Sequence, residues 1–368
     1  MGSRKSIPLF DAYEVKYPGV SLHTIGPYLG KLRPAHARQL ISQYTAKGDT
    51  IWDPFCGSGS VLLEAQLQLR QTIGGDVNPY ASLLSRAKLH APSSLITCLR
   101  KLGEARDAVR ALREPDVSVV PDWVRDFFHE KTLVETIALN EHLEAARDYF
   151  LRGCLIGILH HQRPGYLSFP ASNFAPYLRN RRFPRADFPE AYKYKDPFVL
   201  LEAKARRALR FPPPDQRSRF RLFQRSALHT YVRRSSVDAV ISSPPYMKNL
   251  DYARDNRLRL WFLGVEDYRH VRQDEMSSGH RFLQEMGIVF QSVSRALRPG
   301  GVCIFVLGKI GTKDRERNLS EDLLNEIDEA SFGLRLEDYV ETTARRRAAS
   351  SGARGEPRNE TTLVLRKQ

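Results

Sequence analysis

The chain has 368 residues, 42% of them apolar and 27% charged, the balance of a folded globular protein with room for a core domain and an inserted module. Fifty-seven Lys and Arg against 42 Asp and Glu leave a net charge of +15, which suits a polyanionic partner because each neutralised phosphate releases counterions. No apolar run approaches the roughly 18 residues of a membrane span, the basic start lacks the apolar stretch of a secretory signal, and Cys56, Cys98, Cys154 and Cys303 are too scattered for a disulfide framework or a structural zinc site.

In chain order, Ala35 to Tyr44 has helical apolar spacing and Lys47-Gly48-Asp49 reads as a turn. Thr50-Ile51-Trp52 predicts a short buried strand, followed by the glycine-bearing turn Asp53-Pro54-Phe55-Cys56-Gly57-Ser58-Gly59. Ser60 to Leu69 predicts a helix, Thr72 to Gly75 a second strand ending at Asp76, and Pro79 to Leu89 a second helix. Strand, glycine turn, helix, strand and acidic end together make the βαβ unit of a nucleotide-type site. Helical stretches follow over Leu95 to Leu112, Trp123 to Leu143 and Tyr149 to His161.

The segment Gln162 to Lys195 is irregular and interleaves arginines with prolines and aromatics. Such an array suits a loop lying on nucleic acid, with Arg179, Arg181 and Arg182 on phosphates and Tyr177 and Phe183 against bases. The α/β rhythm returns with strands at Arg219 to Phe223 and Val237 to Ile241. A helix over Arg281 to Leu297 is stopped by Arg298-Pro299-Gly300-Gly301, and Val302 to Leu307 reads as a buried strand. Leu336 to Thr342 and Thr361 to Leu365 are expected to form a terminal antiparallel pair.

Two stretches carry chemistry. In the first, Gly57 and Gly59 let the backbone approach a ligand closely, and Asp76 is placed to accept hydrogen bonds from both ribose hydroxyls of an adenosine. Leu62 stands where a dinucleotide site wants its third glycine, and the Gly-Lys-Ser/Thr of a P-loop is absent. The second is Ser243-Pro244-Pro245-Tyr246, at the carboxyl end of a buried strand. Consecutive prolines fix the backbone and donate no N–H, so carbonyls are presented rigidly. The Ser243 hydroxyl and Pro244 carbonyl are the expected acceptors for an exocyclic amine, and Tyr246 is expected to stack on a base withdrawn from its duplex. His160-His161 is not a metal pair, since adjacent histidines on a helix point apart, and no metal is expected. None of the cysteines has the setting of a cytosine C5 nucleophile, and Cys56 reads as a packing residue.

With these residues the chain resembles the bacterial DNA amino-methyltransferases of the N4-cytosine and N6-adenine type. Asp53-Pro-Phe-Cys-Gly-Ser-Gly59 is similar to their cofactor loop, Gly75-Asp76-Val-Asn78-Pro79 to the segment that reaches the cofactor ribose, and Tyr28-Leu-Gly-Lys31-Leu-Arg-Pro34 to the stretch that helps hold the methionine end. Ser243-Pro-Pro-Tyr246 resembles the catalytic motif, and Asp251 to Gly264 the helix following it. The resemblance implies a doubly wound, Rossmann-like α/β fold and S-adenosylmethionine as cofactor, bound by Tyr28, Lys31, Asp53 and Phe55, by Gly57 and Gly59, and by Asp76 and Asn78. Ser226 stands where the family often carries an aspartate near the cofactor adenine.

The resemblance also implies methylation of an exocyclic amine in double-stranded DNA. Serine at the head of the motif favours cytosine N4, whereas adenine N6 enzymes usually carry Asp or Asn there. The cofactor motif precedes the catalytic one, an order that many cytosine N4 enzymes reverse. An RNA base is the alternative substrate, and a non-catalytic DNA-binding protein the remote alternative. Residues 20–90 and 219–368 are expected to form the core, with 91–218 as a helical, basic insertion for target recognition. A place in the bacterial cytoplasm at the nucleoid is expected, with no membrane association; a cognate restriction endonuclease is compatible with this reading, and the sequence does not say whether one accompanies the protein.

Overall fold

The computed structural model describes residues 16–112, 115–161, 165–169, 184, 186–245, 252–274, 280–308, 310–312, 315–317, 319–326, 332–344 and 358–368. Helix α1 (Pro34–Tyr44) precedes strand β1 (Thr50–Asp53), followed by α2 (Ser60–Leu67), β2 (Gln71–Gly75) and α3 (Pro79–Leu89). Strands β3 (Phe220–Phe223), β4 (Val237–Ser242) and β5 (Leu297–Gly308) follow, then a short hairpin of β6 (Ile310–Thr312) and β7 (Arg315–Arg317), and finally β8 (Leu334–Ala344) and β9 (Arg358–Lys367).

The main sheet has seven strands in the order β3-β2-β1-β4-β5-β9-β8. The first five are parallel, while β9 runs antiparallel to both β5 and β8, as the sequence predicts for the terminal pair. The order reverses between β1 and β4, and in a doubly wound sheet that switch point opens a crevice at the carboxyl ends of the strands.

Strand alternation divides the core into two layers. Ile51, Ala239, Ile241, Val302, Ile304 and Val306 face one side, where they meet Ala37, Leu40 and Ile41 of α1 and Val61 and Ala65 of α2. Their neighbours Trp52, Val240, Cys303, Phe305 and Leu307 face the other, against Met286, Phe290 and Val293 of the helix His280–Ala296. A third apolar cluster joins Tyr80, Leu84 and Ala87 of α3 to the helices between residues 95 and 209 and to residues 253–271. The helices of the 91–218 region therefore pack on α3, which stands between them and the sheet.

Local chemistry explains where the helices stop. The Asn78 side chain caps α3 by accepting from the Tyr80 N–H, with Pro79 in the first turn. The single helix expected over Trp123 to Leu143 is instead two, Asp122–Arg125 and Glu130–Ala145. Phe127 and Phe128 turn into the core between them, and the extended His129 starts the second. The next helix, Tyr149–Gly157, is shorter than expected. A helix that periodicity leaves unassigned, Pro197–Ala208, is capped by Asp196, whose carboxylate accepts from the Phe198 and Val199 N–H groups.

In the expected recognition loop, Tyr192 is buried with its ring 4.8 Å from that of Phe169, and the Lys195 ammonium donates to the Ser168 carbonyl at 2.7 Å. Tyr177, Arg179, Arg181 and Arg182 lie outside the described residues. No helix among the described residues is long and apolar enough to cross a membrane.

Candidate functional site

The turn after β1 is held from three sides. Asp53, buried at the strand end, accepts from the Phe55 N–H at 3.2 Å and from the Ser242 hydroxyl at 2.5 Å. The Ser242 oxygen also accepts from the Phe55 N–H at 3.3 Å, and the Cys56 N–H donates to the Gly75 carbonyl at 2.9 Å. Ser85 of α3 donates to the Gly57 carbonyl at 2.9 Å. Gly57 (φ +50°) and Gly59 (φ +73°) occupy the left-handed region, and a Cβ at Gly59 would sit 2.6 Å from the Ser85 hydroxyl and 3.0 Å from its Cα. The glycines are thus required by both torsion and close approach.

Asp76 closes the second side. Its carboxylate accepts the Gly57 N–H and the Asn78 N–H, each at 2.9 Å, so it ties the end of β2 to the turn after β1. Burial raises its pKa from the ordinary carboxylate value to about 6, and raises that of Asp53 to about 7 against the pull of the Ser242 hydroxyl. Asn78 is buried, and its amide nitrogen has no hydrogen-bond partner among the described residues. The Tyr28 ring lies over Gly57, where a Cβ would meet it at 3.3 Å, and 6.2 Å from the Tyr80 ring.

Phe55 packs at the edge of the core. The Lys31 ammonium donates to the His23 carbonyl at 3.0 Å, and burial lowers its basicity. Ser226, beyond β3, caps the short turn Ala227–His229 by accepting from the Leu228 N–H at 3.4 Å, so its hydroxyl is engaged locally. Of the histidine pair, His160 Nδ1 meets the Ser168 hydroxyl at 2.7 Å while the His161 ring stacks on Tyr166. Burial pushes the Cys56 thiol well above its usual range, which leaves it a packing group.

Strands β1 and β4 are paired in parallel with Trp52 opposite Val240, so Asp53 and Ser242 end side by side. Ser243, buried Pro244 and Pro245 leave the sheet from there, and Tyr246 lies outside the described residues. The structure therefore brings the glycine turn, Asp76, Asn78, Tyr28 and the head of the Ser-Pro-Pro run to neighbouring strand ends.

Sequence reasoning missed several supports of this site. Ser242 precedes the motif and carried no signal beyond its neighbour. Glu64 of α2 is fully buried and accepts from Tyr17 at 2.7 Å and Arg38 at 3.3 Å, with His23 Nε2 at 2.8 Å. A charged residue inside the otherwise apolar run Val61-Leu-Leu-Glu-Ala was the available signal. Lys88, also buried, donates to the Ser58 hydroxyl at 3.4 Å beneath the turn.

S-adenosylmethionine fits this donor and acceptor set. A carboxylate at the end of β2, an unpartnered buried amide at Asn78 and a turn free of side chains at Gly57 match a ribose, an adenosine edge and a close backbone approach.

The strand order and the strand-end site define a doubly wound α/β domain with a nucleotide-type site at the carboxyl ends of its strands. Residues 29–86 match the family model of N6/N4 DNA methylases, which bears out the resemblance read from the motifs over that stretch. The Type II methyltransferase M.MjaII of Methanocaldococcus jannaschii is 34% identical over 80 residues, a match that spans 22% of this chain and 15% of that protein. Among solved structures, a SAM-dependent methyltransferase from Methanosarcina mazei aligns at 12% identity over 89% of this chain and 96% of its own, with a TM-score of 0.35. The rRNA methyltransferase aviRa from Streptomyces viridochromogenes aligns at 13% identity over 99% and 95%, with a TM-score of 0.38. The fold rests on the strand order β3-β2-β1-β4-β5-β9-β8 itself.

Proposed function

We propose that the chain is an S-adenosylmethionine-dependent methyltransferase that modifies an exocyclic amine in double-stranded DNA, cytosine N4 in the first instance. One observation carries this reading: the Ser242 hydroxyl donates to Asp53 and so locks the strand leading into Ser243-Pro244-Pro245 to the turn that carries Gly57 and Gly59. Acceptor and donor sides of a transfer reaction thereby share one hydrogen-bonded frame.

The cofactor, when bound, supplies a methyl group on a cationic sulfur that leaves as a neutral thioether. The chain's part is orientation, which supplies much of the rate when reacting groups are held in line. Asp76 and Asn78 hold the nucleoside end, and the Gly57–Gly59 backbone lets it approach closely. An aromatic amine is a weak nucleophile because its lone pair is delocalised into the ring. The Ser243 hydroxyl and Pro244 carbonyl accept its N–H hydrogens, localise the lone pair and guide the departing proton to solvent. Tyr246 stacks on the flipped base. The insertion at 91–218, with Tyr177, Arg179, Arg181 and Arg182, reads the duplex, and a cognate endonuclease is its proposed companion.

The test is transfer of labelled methyl from S-adenosylmethionine to unmethylated duplex DNA and, in parallel, to total tRNA. Label in DNA that disappears when Ser243-Pro244-Pro245 is replaced by alanines supports the proposal. Label confined to tRNA overturns the DNA reading and makes an RNA base the substrate.

A further inference from the structure

Arg259 lies on the helix Arg257–Trp261, downstream of the Ser-Pro-Pro-Tyr run, and is only 4% exposed. A buried guanidinium is costly unless a carboxylate neutralises it, and among the described residues no carboxylate is paired with this one. Its partners are neutral. One amino group donates to the Asn256 side-chain carbonyl at 3.2 Å, the other to the His160 main-chain carbonyl at 2.5 Å, and its Nε has no partner among the described residues. The guanidinium sits 5.2 Å from the centre of the Tyr80 ring, within cation–π range.

Tyr80 is where three parts of the cofactor side meet. Its N–H is held by Asn78 at 3.0 Å, in the segment that follows Asp76. Its hydroxyl donates to the Pro27 carbonyl at 3.2 Å, immediately before Tyr28, whose ring lies over Gly57. The fit is close enough that a Cβ at Gly26 would collide with that hydroxyl. Burial pushes the Tyr80 hydroxyl up to about 12, against the pull of the Arg259 charge.

We propose that Arg259 is a positioning residue for the cofactor, acting through Tyr80 on the Pro27–Lys31 segment, and that it thereby ties the helix beyond the catalytic motif to the cofactor side. This rests on the reading of the site as one for S-adenosylmethionine. The guanidinium over the Tyr80 ring holds that ring so that its hydroxyl fixes Pro27 and, through it, the Tyr28 ring above Gly57. A lysine keeps the charge but loses the two-pronged donation to Asn256 and the His160 carbonyl.

The experiment is calorimetric titration of S-adenosylmethionine into the full chain and its variants Arg259→Met, Arg259→Lys, Tyr80→Phe and the Met/Phe double variant, with thermal unfolding of each without ligand. Arg259→Met is expected to weaken cofactor binding about tenfold while its melting temperature stays level or rises, because an unneutralised buried charge has been removed. Arg259→Lys should weaken binding in the same direction. The double variant should bind within about twofold of the weaker single variant, since both changes break one path. Cofactor affinity unchanged in Arg259→Met overturns the proposal, as do losses that multiply in the double variant or a matching fall in melting temperature. If the unsubstituted protein binds no S-adenosylmethionine, the reading of the site fails and the proposal with it. If it binds normally but Arg259→Met binds as tightly, only the role of Arg259 is refuted.

Discussion

At the scale of single residues, the site depends on two carboxylates that burial makes weaker acids, and the two consequences have opposite signs. In the proposed site Asp76 accepts ribose hydroxyls far more strongly when ionised, and its raised value of about 6 places that change near neutrality. Affinity for S-adenosylmethionine is therefore predicted to be level above pH 7 and to fall as pH drops through 6, by about tenfold at pH 5. Calorimetry across pH 5 to 8 checks this, and Asp76→Asn should bind weakly at every pH with a flatter profile. Folding responds the other way. Asp53 and Asp76 hold protons more tightly folded than unfolded, so their contribution to stability is complete at low pH and is lost as pH rises from about 4 to about 7. The folded protein tolerates this because backbone N–H groups and Ser242 donate to the ionised forms.

At the scale of elements, caps and turns decide where the site residues stand. The helix Pro197–Ala208 buries Phe198, Leu201 and Ala205 in the core shared with α3, and Asp196 satisfies two of its free N–H groups. Asp196→Ala is expected to cost about 1 kcal/mol of unfolding free energy in urea, with cofactor affinity unchanged because the cap does not touch the turn after β1. What was legible in the sequence follows the same logic. Helix α3 begins and ends where the sequence predicts, because Asn78-Pro79 is a strong local start signal. The break between Asp122–Arg125 and Glu130–Ala145 was not legible, since Phe127-Phe128 continues the helical apolar spacing and only tertiary burial pulls the chain out of it. Likewise the Ser242–Asp53 bond joins residues 189 positions apart, and no local pattern announces it. The glycine turn, Asp76 and the Ser-Pro-Pro run were legible because each is a compact signal with its own backbone requirement. Their supports Glu64, Ser85 and Lys88 were not, because each gains its role only from packing.

At the scale of the whole molecule, parallel strands β1 and β4 flank the switch point, so the chain's cofactor-side motif and its Ser-Pro-Pro run emerge side by side although 189 residues separate Asp53 from Ser242. The helices between these motifs pack on α3 in one continuous apolar cluster, which gives the region proposed to read DNA a firm base on the cofactor half. A charge of +15 supplies the general attraction for a polyanion that such a division of labour needs. The central claim, amine methylation of DNA with cytosine N4 as target, is tested most directly by expressing the protein in a bacterial host free of DNA methylation and analysing its genomic nucleosides by mass spectrometry. N4-methylcytosine is expected, and it disappears when Ser243, Pro244 and Pro245 are alanines. N6-methyladenine in its place would contradict the choice of base, and unmodified DNA from a host making folded, cofactor-binding protein would contradict the claim itself.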